Sequence, residues 1–184
     1  MNFVHRNRCP FVFAAVILAV AFVSGCNSGK SAPTPANFTL AINNHFLDHK
    51  DCLFTDTRFP FETTDPEKTK QMDSLVKASL LEKSAEPSIH VTRYTVATNG
   101  TRFAPHFCYG HREVTSIDGS TPIAVVDGFK ETTVVYTYTM KEVPVWALSH
   151  DVQAVFPDMA KATTSQVTAK ATLAQTPVGW QIPD

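Results

Sequence analysis

His45, His49 and Cys52 fall within eight residues of one another, and His106, Cys108 and His111 within six. Imidazole nitrogen and thiolate sulfur are the donors that hold Zn²⁺ or Cu²⁺. On a helix, His45 and His49 stand at i and i+4, so two imidazoles share one face. The same cysteines have a second chemistry. A disulfide between Cys52 and Cys108 draws the two histidine groups towards each other while withdrawing both sulfurs from any metal. Ligation needs reduced thiolates in a closed shell; a bridge needs oxidised sulfurs whose Cα atoms lie within about 7 Å. The flanks Cys52-Leu53-Phe54 and Phe107-Cys108-Tyr109 are bulky and apolar, which favours burial and pairing. The bridge without a cofactor is the expected state, and a metal-handling or enzymatic site on His45, His49, His106 and His111 is the alternative.

Nothing else in the chain carries a reaction. Ser149-His150-Asp151 are sequence neighbours, whereas a catalytic triad is assembled from distant segments. There is no G-x-S-x-G elbow, P-loop, dinucleotide fingerprint or H-E-x-x-H. The carboxylates are spread thinly, with no pair in an apolar frame. Tyr136, Tyr138, Trp146 and Trp180 could line a groove, although aromatics at alternating strand positions more often build a core. The expectation is a non-catalytic binding or interaction module.

The N-terminus says where such a module works. Arg6 and Arg8 precede an unbroken apolar run from Phe11 to Val23, 13 residues long. Crossing the hydrocarbon core takes roughly 20 apolar residues, while the core of a secretory signal takes 7–15. The run ends in Val23-Ser24-Gly25-Cys26, which resembles the lipobox of bacterial lipoproteins, with Val23 where that family usually has leucine. The resemblance implies cleavage between Gly25 and Cys26, diacylglycerol on the Cys26 thiol and a fatty acyl group on its amine. Asn27, where an aspartate would retain the protein, resembles the default that sends lipoproteins of enteric-type bacteria to the outer membrane, facing the periplasm. Residues 38–184 resemble uncharacterised proteobacterial envelope lipoproteins, which implies no activity.

Removal of residues 1–25 leaves 159 of the 184 residues and, by deleting two arginines and no acid, takes the net charge from −1 to −3. That is not the basic footprint of a nucleic-acid binder. The expected partners are the membrane, through Cys26, and an envelope protein or cell-wall component. The stretch NSGKSAPTPAN (27–37) is small and polar with two prolines. With Cys26 it reads as a flexible tether (26–37) ahead of one soluble domain (38–184).

Within that domain, Phe38, Ile42 and Phe46, widened by Leu40 and Leu47, predict a helix over 39–50. Asp65-Pro66-Glu67 starts a second, over 66–83, through Met72, Leu75, Val76 and Leu80. Strand signals follow at 88–97, around Phe107, Tyr109 and His111, at 121–126 and at 130–141, with turns at Asn99-Gly100 and Asp127-Gly128. Pro144 opens a short helix closed near Pro157. Alternation from Val167 to Leu173, then Pro177-Val178-Gly179, predicts two last strands. The expected fold is α+β: two N-terminal helices, then a mainly antiparallel β-rich half with one further helix. Residues 70–103 also resemble the helix-plus-wing end of a winged-helix domain, with Ser79 where those families tend to have glycine and Asn99-Gly100 supplying the turn. In an exported acidic chain that segment would be a scaffold.

Mass spectrometry of the purified chain under non-reducing denaturing conditions separates the two fates of Cys52 and Cys108. The expected result is a mass two hydrogens below the dithiol form and no alkylatable thiol at either position. Two titratable thiols with a stoichiometric metal would reverse the reading.

Overall fold

The computed structural model describes residues 28–86 and 91–183. Gly25, Cys26 and the signal segment 1–25 lie outside the described residues, as does 88–90 of the strand expected at 88–97. The elements in chain order are α1 (Ser28–Ser31), α2 (Pro35–Asp48), β1 (Asp51–Cys52), β2 (Phe61–Thr63), α3 (Pro66–Lys77), β3 (Leu81–Glu86), β4 (Val91–Val96), β5 (Cys108–Ser120), β6 (Ala124–Val126), β7 (Phe129–Lys141), α4 (His150–Gln153), α5 (Pro157–Thr164), β8 (Val167–Thr176) and β9 (Gly179–Gln181), with short 3₁₀ turns at 98–100 and 145–148. The class is α+β with antiparallel sheets.

Two sheets organise the chain. The larger runs β1-β5-β7-β8-β9, with β6 continuing along β7; the smaller runs β2-β4-β3. On β7 the alternation read from the sequence is realised: Thr132, Val134, Tyr136 and Tyr138 are buried, and the residues between them face outward. The inward side chains meet Phe38, Ala41 and Ile42 of α2, together with Val114, Leu173 and Trp180. Asn43 locks α2 to the sheet, its side-chain oxygen accepting from the Val114 N–H at 2.9 Å. Leu40 and Leu47, expected in the buried stripe, are exposed, because the buried face is centred on Ile42. A second core gathers Phe54, Met72, Leu75, Leu80, Leu81, Tyr94, Phe107, Trp146 and Val152 between the small sheet, α3 and α4.

Four sequence expectations are corrected. The order is not two helices and then strands, since β1 and β2 separate α2 from α3; strands of two and three residues leave no periodicity to read. α3 stops at Lys77 instead of continuing to 83. Ser79 turns left-handed (φ 59°), its N–H donates to the Val76 carbonyl and that of Leu80 to Leu75, each at 2.9 Å. These are the two bonds of a Schellman stop, sealed by Leu80 packing with Leu75. Asn99-Gly100 is no hairpin tip: it forms a 3₁₀ turn after β4, with Gly100 pressed against the Leu80 backbone. Pro157 opens α5 instead of closing a helix, as a proline at the first helical position can.

Residues 28–37, expected as a tether, are folded against the C-terminal strands. The Asn37 amide donates to the carbonyls of Gly29 and Ala32 at 2.6 and 2.9 Å, and the Thr34 hydroxyl caps α2 by accepting from the Asn37 N–H. The Ser31 carbonyl accepts from the Gln175 amide at 2.8 Å and from the Trp180 indole at 3.2 Å.

Two substitutions flank the Schellman stop with opposite signs. Ser79→Gly relieves about 1–2 kcal/mol of left-handed strain against about 0.4–1 kcal/mol of added unfolded-state entropy, so the urea midpoint should rise slightly. Gly100→Ala should lower it clearly, since its Cβ would meet the Leu80 backbone.

Candidate functional site

Both sulfurs are spent on each other. Cys52 of β1 and Cys108 of β5 are partners across an antiparallel pair and are joined by a disulfide. The bridge spans 56 residues of sequence, a loop whose closure is worth about 4 kcal/mol of unfolded-chain entropy. It joins the strand that follows α2 to the first long strand of the large sheet.

The histidines are not gathered by that bridge. His45 and His49 do share a face of α2, where their rings stack with centroids 4.1 Å apart and planes 9° from parallel. The His49 Nδ1 donates to the His45 carbonyl at 2.9 Å. A metal held by both rings would have to lie in the plane of each, and stacked planes share no such point. His106 Nδ1 donates to the Phe54 carbonyl at 3.0 Å, fixing the loop before β5. His111 Nδ1 is buried without a hydrogen-bond partner and lies 3.6 Å from Glu142 Oε2, beyond hydrogen-bond reach. Among the described residues, no three His, Cys, Asp or Glu stand where they could hold one metal ion. The structure brings together His45 with His49 and Cys52 with Cys108, and not the four histidines.

The groups that do converge centre on a charged pair the sequence did not single out, Arg112 and Asp51. Arg112 on β5 makes a two-pronged contact to Asp51, Nε to Oδ2 at 2.9 Å and Nη2 to Oδ1 at 2.7 Å. Its third nitrogen donates to the Tyr136 hydroxyl at 3.2 Å. The guanidinium lies over the rings of Phe46, at 4.4 Å, and Tyr138, at 4.9 Å. Burial opposes its charge, but the bonds to Asp51 and Tyr136 more than offset that and hold its pKa above the ordinary arginine value. The nearest sequence signal is a charged residue inside an alternating strand, which does not name its partner.

The candidate groove of aromatics is core. Tyr136, Tyr138, Trp146 and Trp180 are all buried, and the Trp180 indole N–H is taken by Ser31 and Ala32. An open cleft of about 390 Å³ lies between α2 and β9, lined by Leu40, His45, His49 and Ile182 among others. Asp151, of the Ser-His-Asp run, pairs with Lys77 at 3.3 Å. No known protein family, curated protein or solved structure compared with this chain matches it. Among the described residues no helix is long and apolar enough to cross a membrane.

One further surface was missed. Every residue from 118 to 130 is exposed, including Ile123, Val125, Val126 and Phe129 around the β6–β7 turn. The available signal was an Asp-Gly turn flanked by apolar side chains instead of polar ones.

The buried phenols give the fold an alkaline limit. Burial, reinforced by the bond to Asp73, raises Tyr94 to about 12, and burial with the nearby Asp51 charge raises Tyr109 to about 12. Tyr138 is raised as well, mainly by burial. In the unfolded chain these phenols ionise near 10. Their contribution is therefore complete below about pH 10 and is lost as the pH climbs through about 12. Denaturant midpoints measured along that range should fall together with the onset of tyrosinate absorbance. Unchanged midpoints with early ionisation would contradict the assignment.

Proposed function

We propose that the chain is a lipid-anchored, non-catalytic interaction module of a bacterial cell envelope, held by an acylated Cys26. The observation that carries this reading is the Cys52–Cys108 bridge. Such a bond persists in the periplasm and is rare in a reducing cytosol, and it sits in a chain whose N-terminus resembles a lipoprotein signal. The bridge also takes the only two thiols of residues 27–184 out of metal or nucleophilic chemistry. The remaining polar clusters knit strands and helices together: Arg112 binds Asp51 between β5 and β1, and Tyr94 binds Asp73 between β4 and α3, where Asp73 also lines a shallow cleft beside Lys77 and Asp151. A net charge of −3 after removal of the leader favours a protein or cell-wall partner over nucleic acid. Asn27 after the cysteine favours the outer membrane, with the domain in the periplasm.

Expression in a Gram-negative host with a labelled fatty acid tests the anchor. The wild-type chain should incorporate label and fractionate with membranes. Cys26→Ala should incorporate none and accumulate at the size of the unprocessed chain. Label retained by Cys26→Ala would overturn the assignment.

A further inference from the structure

The β6–β7 hairpin stands clear of the rest of the sheet. β6 pairs with β7 through Ala124↔Glu131, Val125↔Lys130 and Val126↔Phe129, and the two residues between, Asp127 (φ 49°) and Gly128 (φ 85°), form a tight turn of the kind that matches strand twist. The neighbouring strand β8 reaches β7 only as far as Glu131↔Ala174. Beyond that rung the hairpin carries Ile123, Val125, Val126 and Phe129 at 45, 71, 44 and 57 % exposure. Strand alternation puts Val126 and Phe129 on one face and Val125 on the other. An apolar projection with both faces uncovered suits a medium that surrounds it better than a flat partner that covers one side.

The hairpin's position names the medium. Because Glu131 pairs with Ala174 and Thr176 with Gly179, the β8–β9 turn lies at the same end of the sheet, and its Val178 is 65 % exposed. The chain also enters the fold at that end, through the Ser31 carbonyl held by Gln175 and Trp180. Cys26 precedes Ser28 by two residues, a reach of about 7 Å at most. Whatever is attached to that cysteine is therefore delivered to the end of the sheet where the exposed apolar side chains stand.

We propose that Ile123, Val125, Val126, Phe129 and Val178 form a bilayer-contacting end of the domain, which seats the large sheet on the membrane that holds its N-terminus. This rests on the acylated anchor proposed above. The seat is shallow, in the headgroup and upper acyl region where amphipathic surfaces settle. Asp127 at the apex limits the depth of insertion, so the hairpin rests at a tilt in that layer, with the apolar side chains of both faces surrounded by it. Lys30 and Lys130 are balanced by Asp127 and Glu131, so the contact does not depend on anionic lipid and is insensitive to salt.

The test uses the full processed chain in phosphatidylcholine–phosphatidylethanolamine vesicles with brominated acyl chains, which quench tryptophan on contact. Phe129→Trp should add a blue-shifted emission that these vesicles largely extinguish, equally at low and high salt. Thr168→Trp, near the opposite end of β8, should keep its emission. Intact mass on the same samples reads the acyl group separately. An acyl mass without quenching at residue 129 overturns the seat and leaves the anchor standing. Absence of the acyl mass overturns the anchor, and absence of quenching then overturns the seat as well. A concentration-dependent dimer abolished by Phe129→Ser, with no quenching, would assign the surface to a second copy.

Discussion

The fork of Arg112 on Asp51 holds four elements in one place. Asp51 belongs to β1, Arg112 to β5, the hydroxyl and ring beneath the guanidinium to Tyr136 and Tyr138 of β7, and the covering ring to Phe46 of α2. The two charged side chains are 24 and 14 % exposed, between the surface regime, where a pair is worth about 0–1 kcal/mol, and the buried regime, where losing one partner costs about 3–5 kcal/mol. Planarity matters as much as charge. A lysine could meet one oxygen of Asp51, but it could not keep both and also lie flat between two aromatic faces. One residue along, Cys52 makes its bridge to Cys108, so β1, only two residues long, is held to β5 by a covalent bond and an ion pair added to a short ladder.

That arrangement joins the two cores. Phe54 and Phe107 stand just beyond the bridge in the core of the small sheet and α3, while Arg112 and Val114 lead into the core under α2. β5 serves both. The disulfide is therefore the seam between two packing units and not a staple within one of them.

Much of the framework was legible in the sequence because it follows from local rules. The period of two along β7, the Asp-Gly turn before it, and Asp65 capping α3 through its bonds to the Glu67 and Lys68 N–H groups each depend on residues a few positions apart. What was misread depends on distant partners. The apolar spacing through Leu80 fits a longer helix, and only the Schellman stop at Ser79 and the pairing of Leu81 with Val96 across the small sheet end it there. Gly100 looked like a turn residue because glycine is needed there, but the reason is the Leu80 backbone 20 positions away. At the candidate site, the Cys52–Cys108 pairing could be argued from compartment and flanks. The separation of the histidines could not, since proximity along the chain says nothing of which side of a strand or helix each ring leaves from. Arg112 escaped notice because a charge is recognised as structural only when its partners are known.

The hold on Ser31 has a consequence for the order in which the chain matures. The carbonyl accepts from side chains 144 and 149 residues further on, among the longest contacts the molecule makes. A segment that docks onto the last hairpin has nowhere to dock while that hairpin is still being made. Until then residues 28–31 have no partner strand to close against. Completion of β8 and β9 then closes the segment down. The fold thus leaves the segment ahead of α2 open until the last two strands are in place.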